Sequence, residues 1–149
     1  MTNTLKCGVM WALLFAAAAA VQAQGLKVET QGGASFAAGG IGETEQAQFK
    51  AREQEFNLKL VFTLVEGNYV ADVGVVVRGA AGKTLITHLS DGPLFLAKLP
   101  AGSYSVAVTY RDRKQERKVK VGGRLHAEYF RWPSIRDVDF PLRPEPMGK

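Results

Sequence analysis

The stretch Gly92–Tyr110, GPLFLAKLPAGSYSVAVTY, decides the fold. Leu94-Phe95-Leu96 is apolar at three consecutive positions, and Leu99-Pro100-Ala101-Gly102 then supplies type I turn chemistry. Proline presets φ at the second turn position, and glycine suits the fourth. After the turn, Tyr104, Val106, Val108 and Tyr110 alternate with Ser103, Ser105, Ala107 and Thr109. That period of two places one face on a core and the other towards solvent. The stretch therefore reads as a hairpin of a half-buried antiparallel sheet. Its first arm, apolar on both sides, is expected deeper in the sheet. Pro100 falls at a strand end, where a missing donor does little harm.

Similar patterns flank the stretch. Leu58, Leu60, Phe62 and Leu64 alternate with Asn57, Lys59, Val61 and Thr63, and Val73, Val75 and Val77 share a face. Leu85 and Thr87 alternate with Thr84, Ile86 and His88. Gln115, Arg117, Val119 and Val121 oppose Glu116, Lys118 and Lys120, the mark of an exposed edge strand whose lysines discourage stray pairing. Leu125, Ala127 and Tyr129 oppose His126, Glu128 and Phe130. With turn signals between them, these make seven strands over residues 56–132 and predict an all-β, seven-stranded antiparallel β-sandwich. Residues 43–55 read as a short polar helix, with Glu43 and Glu45 in its first turn and a thin stripe of Phe49, Arg52 and Phe56. The helix packs on the sandwich or, in the other reading, binds a partner. Residues 24–42, rich in Gly and Ala, read as flexible, with room for one short strand near Phe36. Residues 133–149, with Pro133, Pro141, Pro144 and Pro146, read as a loose tail.

The first residues have a different character. Lys6 precedes an apolar run from Val9 to Val21, and Val21-Gln22-Ala23 places small residues where a signal peptidase cuts. Residues 1–23 are thus expected to be a secretory signal peptide, and the run falls short of the roughly 18 or more apolar residues of a membrane anchor. Cys7, the single cysteine, lies inside it. The mature chain would carry no thiol for a disulfide, a thiolate nucleophile or a Cys-based metal site. The expected destination is the periplasm, with an extracellular one left open. The net charge of +5 is concentrated from Arg111 to Arg124. For an exported chain, the anionic partners on offer are lipid headgroups, lipopolysaccharide and acidic glycans, and not nucleic acid.

Four segments carry a resemblance: Tyr69-Val70-Ala71-Asp72-Val73, Gly82-Lys83-Thr84, Asp91-Gly92-Pro93-Leu94, and Leu99-Pro100-Ala101-Gly102-Ser103-Tyr104-Ser105-Val106. Together they resemble the carboxypeptidase regulatory-like domain. The resemblance covers roughly residues 39–132 and implies a transthyretin-like sandwich of seven strands. Gly39-Gly40-Ile41-Gly42-Glu43 followed by Phe56-Asn57-Leu58 is similar to small exported proteins of Gram-negative bacteria that carry this domain. In carboxypeptidases it accompanies a separate zinc-binding catalytic domain that this chain lacks, so peptidase activity is not implied.

No residue pattern specifies a reaction. His88 and His126 stand apart, without the H-E-x-x-H spacing of a zinc site. His88, Ser90 and Asp91 are close in sequence, but a hydrolytic triad is a matter of geometry, and polar residues before a Gly-Pro turn are ordinary turn chemistry. Gly39-Gly40-Ile41-Gly42 lacks the lysine of a phosphate loop. Asp137 and Asp139 lie in the proline-rich tail. Neither a catalytic set, a metal nor a cofactor is expected. Tyr129-Phe130-Arg131-Trp132-Pro133 is the one cluster above background. Phe130 and Trp132 share a face that Tyr129 does not. Trp132 either stacks on a sugar or partner side chain or caps the sandwich end. The expected function is a non-enzymatic periplasmic binding or accessory module that contacts an envelope protein. A carbohydrate or anionic-glycan binder is the alternative. The candidate contact residues are Lys118, Lys120, Tyr129, Arg131 and Trp132.

Overall fold

A computed structural model describes residues 25–140. The expected signal peptide and the end of the tail, residues 141–149, lie outside the described residues. So does the Asp137 side chain. The described chain runs β1 (Glu29–Gln31), β2 (Ala34–Gly39), α1 (Gly42–Arg52), a 3₁₀ turn (Glu53–Glu55), β3 (Leu58–Leu64), β4 (Val73–Gly79), β5 (Thr84–Ser90), β6 (Leu94–Lys98), β7 (Gly102–Tyr110), β8 (Arg113–Val121), β9 (His126–Trp132) and α2 (Arg136–Asp139). A five-stranded sheet in the order β1-β2-β6-β3-β9 packs on a four-stranded sheet in the order β5-β4-β7-β8. Phe36, Leu58, Leu60, Phe62, Phe95, Phe130 and Trp132 of the first meet Val73, Val75, Val77, Ile86, Val106, Val108 and Val119 of the second, in one continuous core.

The expected hairpin is corrected. β6 pairs with β2 and β3, whereas β7 pairs with β4 and β8, so the two arms belong to opposite sheets. Leu99-Pro100-Ala101-Gly102 is the corner at which the chain crosses between them. Alternation says which side chains face the core, but not which strand lies alongside. β6 is apolar on both sides because both are covered. Phe95 and Ala97 face the core, while Leu94 and Leu96 join a second cluster with Ala37, Phe56, Val61 and Phe49 of α1. Burying Phe49 fastens the otherwise polar helix with about 1.5–3 kcal/mol.

The crossing is held by Asn57, a buried residue just before β3. Its Nδ2 donates to the carbonyls of Leu99 (2.7 Å) and Gly122 (3.2 Å), and its Oδ1 accepts from the Leu99 amide (2.9 Å). Its backbone N–H donates to Ala97, and its carbonyl accepts from His126. The Tyr104 hydroxyl closes the same corner by donating to the Pro100 carbonyl (2.5 Å).

Three further expectations change. The sheets contain nine strands among the described residues, because the Gly/Ala-rich segment supplies β1 and β2 instead of a flexible link. Ala34 and Ala37 of this segment are buried strand residues, and its end is approached closely by Gly92. A Cβ on Gly92 would lie 2.1 Å from the Gly39 carbonyl oxygen, so only glycine lets the end of β2 approach there. The ladder between β3 and β9 is parallel, although all others are antiparallel. β9 arrives from β8 by crossing back to the first sheet, and so runs alongside β3 in the same direction. Lastly, residues 136–139 of the expected loose tail form the short helix α2.

Asn57→Ala should leave the Leu99 amide and two carbonyls without side-chain partners, costing about 3 kcal/mol in denaturant unfolding. Asn57→Asp should cost more at neutral pH, because it turns carboxylate oxygens towards carbonyls, and should recover part of the loss on acidification. A loss below about 0.5 kcal/mol in Asn57→Ala would contradict this role for the amide.

Candidate functional site

The expected contact residues are divided among three environments. Lys118 and Lys120 project from the outer face of the four-stranded sheet, across from Ser105 and Ser103. Tyr129 and Arg131 lie on the outer face of the five-stranded sheet, exposed to solvent. Trp132 is withdrawn from the surface, only 1% exposed. Its indole packs near Phe62, Phe130 and Tyr110, and its Nε1 donates to the Arg113 carbonyl (3.0 Å). A stacking role for Trp132 is therefore corrected: the ring caps the core.

β8 is an edge strand, as its lysines suggested. Its inward side chains are divided by type. Val119 and Val121 enter the core, whereas Arg113, Gln115 and Arg117 reach across the gap to β9. Gln115 Nε2 donates to the Arg131 carbonyl (2.7 Å), Arg117 Nη1 to the Tyr129 carbonyl (3.1 Å), and Arg113 Nη1 to the Pro133 carbonyl. The Arg117 guanidinium also lies 4.7 Å from the centre of the Phe130 ring and pairs with Glu128 (3.0 Å).

Tyr129 and Tyr69 flank a groove of about 350 Å³ beside α1. The parallel register sets Tyr129 against Val61, and a bridge from Thr63 to Tyr69 brings the β3–β4 loop alongside. Val61 and Leu94 line the groove, and Lys50, Glu53 and Lys59 edge it. Lys59 and Glu53 pair at 2.8 Å. The tyrosines are 57% (Tyr69) and 51% (Tyr129) exposed, which leaves ring faces available. Tyr69 was not expected as a site residue. The available signal was local: in the turn Gly67–Asp72, Val70 suffices to meet the core, so an adjacent aromatic has no packing duty.

Tyr69 also lines a second cleft, of about 420 Å³, with Asp72, Tyr110, Arg111 and Asp139. Asp72 and Arg111 are two of three non-glycine residues with positive φ among the described residues, at 57° and 46°. Arg111 and Asp112 form the two-residue β7–β8 turn, whose twist calls for positive φ at both positions. The Asp139 carboxylate accepts from the Ile135 amide (2.5 Å) and the Tyr110 hydroxyl (3.0 Å), with Arg111 Nε at 3.7 Å. These contacts, the Ile135 amide foremost, hold its pKa below the ordinary aspartate value. Tyr110 is pushed up by burial and by donating to Asp139. The carboxylate thus latches α2 onto the end of the sandwich.

The histidines are separated. His88 packs against Phe36 and Phe95, with centroids 4.9 and 6.4 Å away, and Ser90 donates to the Gly92 carbonyl. These contacts do not assemble a triad from His88, Ser90 and Asp91. His126 bonds Glu128 at 2.8 Å. Burial would raise the Glu128 pKa, but the bonds from His126 and Arg117 outweigh it and the net shift is downward. Among the described residues, no group of three or more His, Cys, Asp or Glu side chains is placed to hold a metal ion. No helix among them is long and apolar enough to cross a membrane.

No protein-family model matches the chain, and a comparison with curated proteins finds no match.

Asp139 and Glu128 have lowered folded-state values, so their stabilisation is fully present above the ordinary carboxylate range, near about pH 4, and is lost as pH falls through the folded values. Thermal midpoints should therefore drop on acidification below about pH 5. Asp139→Asn should be less stable at neutral pH and show a shallower drop. A variant profile running parallel to the wild type would contradict the latch.

Proposed function

We propose that this chain is an exported, non-enzymatic binding module of the cell envelope, acting in the periplasm by contact with another protein. The observation that carries the reading is the pair of exposed tyrosines across a groove lined by Val61 and Leu94. Rigid aromatic rings beside an apolar depression can anchor a partner side chain at little entropic cost. Two carboxylates beside the concavities are tied into the fold: Glu53 pairs with Lys59, and Asp139 holds Tyr110 and Arg111. Such engagement favours binding over proton transfer. The leader-like run from Val9 to Val21 supports export. Of the expected contact residues this reading keeps Tyr129, adds Tyr69 beside it, and does not use the Lys118–Lys120 edge.

Kinship with the carboxypeptidase regulatory-like domain remains part of the proposal. It rests on the Leu99–Val106 motif and on seven strands, β3–β9, that follow the expected order, with β1 and β2 added. The glycan alternative loses Trp132 but keeps Tyr129, now with Tyr69 as a second ring.

A photoreactive residue at position 129 should give protein adducts in the periplasm that vanish in Tyr69→Ala and persist in Lys118→Glu/Lys120→Glu. The same residue at position 87, on the opposite sheet, should give none of them. Adducts insensitive to Tyr69, or shared by both positions, would contradict the reading. Glycan-array binding lost in Tyr129→Ala, without protein adducts, would select the glycan alternative.

A further inference from the structure

The outer face of the four-stranded sheet carries no helix, and its floor is built from small side chains. Gly74, Val76, Ser103, Ser105, Ala107 and Thr109 lie on this side of β4 and β7. Above them stand Lys114, Lys118 and Lys120 of β8 and Arg78 of β4. Ser105 lies opposite Arg78 on one side and Lys118 on the other, so the three form a row across the sheet. Strand geometry spaces Lys118 and Lys120 by about 7 Å, and Arg78 and Lys118 by about 10 Å.

Glu116 is the only acid among the strand residues of this face, and it is already engaged. It accepts from Ser105 (2.5 Å), sits 3.5 Å from Lys114, and feels Arg78. Lys118 and Lys120 have no ion pair among the described residues. A row of cations therefore exceeds its counter-charge on a floor of small side chains. The adjoining hollow, beside Lys118, is small, about 210 Å³. Leu89, 62% exposed, stands on the same face at the β5 edge.

We infer that this face docks on an anionic lipid headgroup layer. A protein partner of high affinity needs a concave pocket for an anchor residue, and this floor offers little relief. A charged plane needs only a flat array of long, mobile cations, each contributing about fivefold to partitioning near an acidic surface. Leu89 would meet the headgroup boundary as a single apolar contact. The site is separate from the tyrosine groove, on the opposite sheet, and does not depend on it.

The test is flotation of the chain recovered after export with vesicles of phosphatidylcholine alone, or of equal parts phosphatidylcholine and phosphatidylglycerol. The wild type should float with the anionic vesicles only, and less so as salt rises. Arg78→Gln/Lys118→Gln/Lys120→Gln should lose on the order of a hundredfold in partitioning. Glu116→Gln, which removes the one acid, should bind more tightly, and it decides the matter if the triple variant is poorly folded. Tyr69→Ala/Tyr129→Ala should float like the wild type whatever the groove binds. Equal flotation with both vesicle types, an unaffected and folded triple variant, or capture of soluble polyglutamate in place of vesicles would overturn the inference.

Discussion

One buried amide sets the connections on which the rest of the molecule depends. Asn57 touches the Leu99 corner, where the chain leaves the five-stranded sheet, and the Gly122 loop, through which it returns. An amide in an apolar interior is costly unless its donors and acceptor are met, and here all are engaged. The same residue extends the backbone network to Ala97 and His126, so the departures of β7 and β9 are set from one point. β9 then lies beside β3 in parallel, and that register places Tyr129 next to Val61. β7 and β8 lie in the other sheet, and that pairing aligns Arg78, Ser105 and Lys118. Both proposed binding surfaces are consequences of where the chain crosses.

Sandwiches expose edges, and side chains engage part of the edge on each side of this one. Edge strands offer unpaired backbone groups to any extended chain. On one side, Arg113, Gln115 and Arg117 of β8 donate to carbonyls along β9 and the residue after it. On the other, Gln31 of the β1 edge accepts from the Thr87 amide of β5. The polar half of the inward side of β8 is thereby explained: those side chains span the gap between the sheets where valines fill it further along. With edges engaged in this way, the faces are the better surfaces for partners, and the two sheets offer different ones. One face is aromatic and grooved beside a helix. The other is basic, over a floor of small side chains.

Much of the core was legible, because alternation directly reports which side chains turn inward. Tyr104, Val106 and Val108 face the core, and so do Phe130 and Trp132, while Tyr129 does not. Pairing was not legible. The same alternation suits a hairpin and a corner, and what distinguishes them is a hydrogen bond from Asn57, 42 residues away from Leu99. Composition misled at residues 34–39, where the small residues belong to a packed strand with Ala34 and Ala37 buried, and not to a flexible link. The local sequence could mark Tyr69 as an aromatic with no packing duty, but its position beside Tyr129 depends on the same long-range register.

Native-state hydrogen exchange at the Leu99 amide tests the crossing most directly. Bonded to a buried side chain and not to a strand neighbour, this amide should exchange only with global unfolding, as slowly as Val75 in the core of β4. In Asn57→Ala it should exchange by local opening, while Val75 keeps pace with the variant's remaining global stability. Exchange at Leu99 as fast as at the exposed Arg111-Asp112 turn in the wild-type protein would contradict the role assigned to Asn57.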